Sequence, residues 1–324
     1  MKLSKEELVL TSGAHRSRTG EFESSFEFKP TGRLIYSDWH CSIFSLDSAS
    51  SSCILYGLLQ EKSLNSSITS AASNDSWVFV KTPACILAIE KNSGTEVYGH
   101  VSGVTQIASD GQNVFYLKDE LLYLLKVSKL EGIISVDRPF STSIKIRSIS
   151  CGSGFLLCLT FSGQVFSQGI GSRGQLGLGD LSDRMKLTLI EALQVLTVTQ
   201  ISSGNWHSVC LTDTGDVYTW GWNEHGQLGH KSLGIRNKST FMDEGERQSC
   251  ISVLALPTPV DFPDELYISQ IACGGRHTVC LTEAGDLFCF GWNGYGQLGL
   301  DSSVEAVDTP LKHPFLKVNT CHQG

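Results

Sequence analysis

The sequence predicts an all-β fold of small sheets packed radially, a β-propeller, and three observations predict it. First, one block occurs three times: Ile149-Ser-Cys-Gly152 to Gly174-Gln-Leu-Gly177, Ile201-Ser-Ser-Gly204 to Gly226-Gln-Leu-Gly229, and Ile271-Ala-Cys-Gly274 to Gly296-Gln-Leu-Gly299. The intervals 174−152, 226−204 and 296−274 are all 22 residues. A fixed ruler with changing sequence between its marks denotes one structural unit, copied, and repeats of this length build propellers, solenoids or arrays. Second, every copy orders its signals alike: a short apolar segment ending in Leu-Thr, a polar turn closed by Gly, then an apolar segment ending in aromatic-Gly in the second and third copies. Third, no long apolar stripe of helical period competes, so helices are minor.

The elements follow from residue type. His207-Ser-Val-Cys-Leu-Thr and His277-Thr-Val-Cys-Leu-Thr read as strands, because β-branched and apolar runs bounded by Gly, Asp and Asn fit a pleated sheet. Gly215 and Gly285 stand where the hairpin needs a positive φ. Weaker copies extend the count backwards, with anchors at Ile107-Ala-Ser-Asp110, Ala71-Ala-Ser-Asn74 and Ile35-Tyr-Ser-Asp38. The anchors near 35, 71, 107, 149, 201 and 271 are 36, 36, 42, 52 and 70 residues apart. Val318-Asn-Thr-Cys321 resembles the opening of a seventh copy. Propellers close by sharing one blade between the chain ends, and residues 1–30, including Leu8-Val-Leu-Thr-Ser-Gly13, are expected to supply its outer strands. Residues 318–324 then offer only the start of an inner strand, which leaves that blade incomplete. The domain reading is one propeller over 1–324, with degenerate blades in 31–148 and clear repeats in 149–317.

At 324 residues and 41% hydrophobic, the chain can bury a full core. A net charge of −8 argues against a general nucleic-acid binder. Residues 1–10 carry Lys2, Lys5, Glu6 and Glu7 and no apolar signal core, and no stretch approaches a membrane span, so a soluble, intracellular chain is expected. The 11 cysteines suggest reduced core thiols, since Cys158, Cys210 and Cys280 recur at one strand position.

Catalytic and cofactor signals are weak. Gly169-Ile-Gly171-Ser-Arg-Gly174 spells a dinucleotide-binding string, but it lies in a strand-turn repeat without the helix that chemistry requires. Gln227 stands where a P-loop needs Lys. His207 and His277 recur at equivalent places and Phe155 replaces them in the first copy, which marks a structural role. Asp216 and Asp286 follow turn glycines and are read as turn chemistry. No C-x-x-C or H-x-x-x-H spacing supports a metal. No cofactor is expected.

Partner binding has better candidates. Trp222 and Trp292 repeat and are assigned to packing between blades. Trp206 and Tyr295 lack a counterpart in the first copy and are candidate anchors, residue types enriched in interface hot spots. An insertion follows Gly229, since the third spacing exceeds the second by 70−52, or 18 residues. This polar stretch, 230–250, offers Lys231, Arg236, Lys238, Phe241 and Met242 as contacts, because inserted loops on repeat scaffolds often carry binding. Its bland alternative is a linker without a role.

Ser-Ser-Gly204-Asn-Trp-His207, Leu-Thr-Asp-Thr-Gly215-Asp-Val-Tyr-Thr-Trp-Gly221 and Trp222-Asn-Glu-His-Gly226-Gln-Leu-Gly229, with their equivalents at 271–299, resemble the regulator of chromosome condensation repeat family. The strong resemblance covers 149–300, 152 residues. It implies a seven-bladed propeller with its final blade shared between the termini, framed by Gly152, Gly174, Gly177, Gly204, Gly215, Gly221, Gly226, Gly229, Gly274, Gly285, Gly291, Gly296 and Gly299. Family members include an exchange factor for a small nuclear GTPase, parts of ubiquitin ligases, and scaffolds. The degenerate first half and the insertion resemble the short animal branch of the family, whose partner is a JmjC-type 2-oxoglutarate-dependent oxygenase. That likeness implies a non-catalytic nuclear scaffold, linked to chromatin, histone methylation state and chromosome segregation. The acidic charge favours recruitment through the protein partner over direct nucleosome or nucleic-acid contact. The alternative is a guanine-nucleotide exchange factor, although no protruding β-wedge is identifiable.

Overall fold

The computed structural model describes residues 2–4, 33–37, 42–45, 52–56, 62–65 and 68–319, the last apart from 69, 100, 128–133, 137–138, 141–143, 237–244, 246–247, 264 and 302. Two compact units divide the chain, one formed by Thr11–Ile149 and one by Met1–Leu10 with Ser150–Gly324.

The first unit holds three four-stranded sheets. Their strands are Arg33–Ser37, Ser42–Ser45, Ser52–Tyr56 and Lys62–Asn65; Ser70–Ser73, Trp77–Lys81, Ile86–Glu90 and Glu96–Gly99; and Val104–Ser109, Val114–Lys118, Leu121–Val127 and Ile134–Val136. Ile146–Gly152 crosses the division and opens a fourth sheet with Phe155–Thr160, Val165–Gly169 and Arg184–Leu189. The fifth holds Val198–Ser203, His207–Thr212, Val217–Trp222 and Val253–Pro259, and the sixth Ile268–Gly274, His277–Thr282, Asp286–Trp292 and Ala306–Asn319. Each is a meander of successive strands, and all six anchors read from the sequence lie in the opening strand of a sheet.

The second strand of each sharp repeat is buried along its whole length: Phe155–Thr160, His207–Thr212 and His277–Thr282. Burial on both faces explains why these strands read as continuous apolar runs rather than as alternation. In the second unit one cluster joins Phe155, Leu157, Leu159 and Val165 to Val198, Cys210 and Trp220 of the following sheet. The first unit has its own cluster of Trp77, Phe79, Ile86, Ile107, Val114, Tyr116 and Leu125. Each large apolar side chain so buried contributes about 1.5–3 kcal/mol. Cys158, Cys210 and Cys280 are free, fully buried thiols, and burial drives their ionisation well above the usual range.

Among the described residues the strands form six sheets. One expectation about the chain ends needs correction. Val318 and Asn319 do not open a new blade, because they end the long strand Ala306–Asn319. Their register explains it: Lys317 pairs with Asp286 on one side, and Lys2–Ser4 adds in parallel to Lys317–Asn319 on the other. Leu8–Gly13 and Cys321 lie outside the described residues. Among the described residues no helix is long and apolar enough to cross a membrane.

Candidate partner-binding face

The site is built by the turns at one end of the three sharp repeats. The anchor glycines Gly152, Gly204 and Gly274 are required by crowding. A Cβ on Gly204 would lie 2.1 Å from Cε1 of His207 and 2.6 Å from the carbonyl oxygen of Gly274, the equivalent glycine one repeat on. Phe155 and His277 cover Gly152 and Gly274 in the same way. The Gly-x-x-His spacing is thus a side chain folded over a bare backbone. His207 is fully buried, with Nε2 3.0 Å from Thr278 Oγ1. Burial lowers its pKa to about 3 and that of His277 to about 4, so both are neutral structural groups.

GQLG has an equally local cause. The glutamine side chain accepts the backbone N–H two residues before it: Arg173 to Gln175 at 2.8 Å, His225 to Gln227 at 2.8 Å, Tyr295 to Gln297 at 2.9 Å. Its backbone carbonyl then serves the next repeat. Ser208 Oγ and Trp220 Nε1 donate to that of Gln175 at 2.8 and 2.9 Å, and Thr278 Oγ1 donates to that of Gln227 at 2.8 Å. Leu176, Leu228 and Leu298 are buried beneath. The glycines Gly174, Gly177, Gly226, Gly229, Gly296 and Gly299 all turn at positive φ, as do Gly215, Gly221, Gly285 and Gly291. Gly169 ends a strand and residues 170–177 are turn and irregular chain, with no helix behind the dinucleotide-like string.

This frame holds the residue before GQLG in a fixed place, and that residue changes chemistry: Arg173, His225, Tyr295. The residue before the repeat histidine changes too, from Trp206 to Arg276. Together with Trp222 and Trp292 they form one stack. The Arg173 guanidinium carbon lies 5.2 Å from the Trp206 ring centroid and 4.4 Å from that of Trp222. Arg276 lies 5.8 Å from Trp222 and 5.6 Å from Trp292. His225 meets Trp222 and Trp292 edge-on at 5.7 and 6.0 Å, and Tyr295 meets Trp292 at 4.7 Å. Trp206 and Tyr295, singled out from the sequence, are therefore joined by one ladder. Trp222 and Trp292 touch neighbouring repeats through Arg173, Arg276 and His225.

The insertion divides differently. Lys231 is exposed. Arg236 ends a single helical turn, Leu233–Arg236, and its Nε donates to Asp308 at 2.8 Å, so it ties the insertion to the following repeat. Ser232 N donates to the same carboxylate at 3.0 Å. Lys238, Phe241 and Met242 lie outside the described residues. Asp216 accepts from Thr214 at 2.6 Å and Asp286 pairs with Lys312 at 2.8 Å. Among the described residues no cluster of three or more His, Cys, Asp or Glu is placed to hold a metal.

Sequence comparison finds the same repeats. The profile of the regulator of chromosome condensation (RCC1) repeat matches residues 162–211, 214–281 and 284–323. Its units are out of phase with the sheets: the first two each run from one sheet into the next, and the third covers the last two strands of the final sheet. "RCC1 domain-containing protein 1" of mouse is 37% identical over 191 residues, 53% of this chain and 50% of that protein. The human protein of the same name is 36% identical over 198 residues, 54% of this chain and 52% of that protein. The chain thus spans about half the length of these relatives. In the solved structures, yeast RCC1 (Prp20) bound to Kap60 superposes with a TM-score of 0.67 at 15% identity, over 86% of this chain and 74% of that one, a likeness of fold alone. The chain belongs, through residues 162–323, to the RCC1-repeat family, and its fold class is the all-β propeller of that family.

Proposed function

We propose that this chain is a non-catalytic protein-interaction scaffold whose partner is a JmjC-type 2-oxoglutarate-dependent oxygenase. In this reading it acts in the nucleus on histone methylation state and chromosome segregation. The observation that carries the scaffold reading is the division of labour at the repeat turns. Glycine, glutamine and histidine fix the backbone, while Arg173, Trp206, His225, Arg276 and Tyr295 vary on top of it. A rigid support with non-repeating chemistry at its tips is how a repeat protein displays a binding surface. The partner assignment rests on the resemblance to the short animal branch. Lys231 and the following 237–249 stretch are proposed to widen the same contact, and Arg236 supports them through Asp308.

Affinity capture from nuclear extract with the tagged chain, followed by mass spectrometry, tests the assignment. Recovery of a JmjC-domain oxygenase is the expected result. Recovery of a nucleotide-free small GTPase in its place would support exchange-factor activity and refute the assignment.

A further inference from the structure

We propose that the Arg173–Trp222–Arg276 ladder is a recognition site for an acidic peptide segment of a protein partner. It rests on the scaffold reading above but not on the identity of the oxygenase. Both guanidinium groups are half-buried, and among the described residues neither side chain forms an ion pair or donates a hydrogen bond; the Nε of Arg276 is buried without an acceptor. Two other described arginines are paired, Arg184 with Asp180 and Arg236 with Asp308, while Arg147 is exposed rather than held against rings. An arginine presents five N–H donors in a planar fork that matches a carboxylate bidentately. Stacking on an indole satisfies the face of the cation while leaving its N–H edge unused. Two such edges, both beside Trp222, are donors waiting for acceptors.

The chemistry of the surroundings narrows the ligand. Each guanidinium has an aromatic wall, Trp206 and Trp222 for Arg173, Trp222 and Trp292 for Arg276. Tyr295, 45% exposed, closes one end. Aspartate and glutamate combine a short apolar stem with a carboxylate, which suits an aromatic wall with a charged edge. A nucleic-acid backbone needs a continuous basic track, whereas Glu224 is exposed in this same turn and the chain carries a net charge of −8. Trp, Tyr and Arg are also the residue types that dominate binding energy at protein interfaces.

The test uses the full chain on an array of short peptides, in which every Asp- or Glu-containing member has an Asn or Gln twin. Acidic members should bind about ten-fold or more tightly than their twins, and R173A/R276A should erase that preference. R173Q/R276Q, which keeps the stems on the indoles, guards against a variant that fails to fold and should lose the preference equally. Equal binding of twins, no binding of any member, unchanged preference in the folded double variant, or tighter binding of a single-stranded oligonucleotide would each overturn the proposal. Acidic preference without oxygenase recovery would leave this site standing and remove the partner assignment. Oxygenase recovery together with equal binding of the peptide twins would do the reverse.

Discussion

The turn that follows the opening strand is made twice in this molecule, with two chemistries. In the sharp repeats Gly204 N donates to the His207 carbonyl at 2.9 Å, and the histidine ring fills the space over the glycine. In the degenerate half Asn74 N donates to the Trp77 carbonyl at 3.0 Å and Asp110 N to the Asn113 carbonyl at 3.2 Å, the same backbone closure. There the side chain does the work. Asn74 Oδ1 accepts from Trp77 N at 2.9 Å, and Asp110 Oδ1 accepts from Asn113 N at 2.6 Å. A glycine turn admits a neighbouring backbone and a large side chain, while an Asx turn is self-contained. The sharp repeats can therefore press a bare backbone against the next copy. The degenerate turns close with their own carboxamide or carboxylate and reach the next copy by side chain, as Asn74 Nδ2 does to the Gln112 carbonyl at 3.4 Å.

That difference breaks most visibly at Gly204. Gly204→Ala forces a Cβ against His207 and a backbone oxygen of the next repeat and should destabilise by about 3 kcal/mol, read from the denaturant midpoint. The next effect is pH-dependent. His207 titrates near 3 in the fold against an ordinary 6.5, so the unfolded chain binds the extra proton between those values. Stability is complete above 6.5 and falls as pH is lowered towards 3. His207→Phe, which copies Phe155, should remove about 2 kcal/mol of the loss between pH 7 and pH 5, seen in paired unfolding curves. Asp110→Ala removes an Asx turn but meets no crowding, and about 1 kcal/mol should be lost. The smallest change is a gain. Asp119 and Glu120 occupy positive φ, +50° and +63°, in a tight hairpin that glycine suits better. Glu120→Gly should add about 1 kcal/mol, since its ion pair with Lys145 is exposed and worth little; a lower midpoint would show that the pair matters.

The opening strands and the repeat frame were legible because they depend on local residue types. Gly-x-x-His and GQLG each close a turn within a few residues, so their spacing survives in sequence. A further signal was present and unread. Val104-Thr-Gln-Ile107, Val198-Thr-Gln-Ile201 and Ile268-Ser-Gln-Ile271 share a bulge in which Thr105, Thr199 and Ser269 bond the neighbouring strand. Gln106 then bridges to both backbone groups of Ile149, as Gln200 does to Ser269 and Ile271. This motif ties the degenerate copy at 104–109 to the sharp ones despite its lost glycine. The Arg173–Trp206 contact and the Arg236–Asp308 pair, 72 residues apart, were not legible. Each joins positions that no local periodicity relates, and a cation over a ring leaves no spacing rule. What sequence did offer was variation at fixed marks: Arg, His and Tyr before one glycine, Trp and Arg before one histidine.

The central claim is that the turn ends of the sharp repeats carry the partner. Titration of a purified JmjC-type oxygenase against the full chain, against R173Q/R276Q, and against Met185→Gln, a control at a side chain 87% exposed, tests it most directly. The account predicts saturable binding that Met185→Gln leaves intact and the double variant weakens about ten-fold or more. Absence of binding by the unaltered chain, or equal affinity for all three proteins, would contradict it.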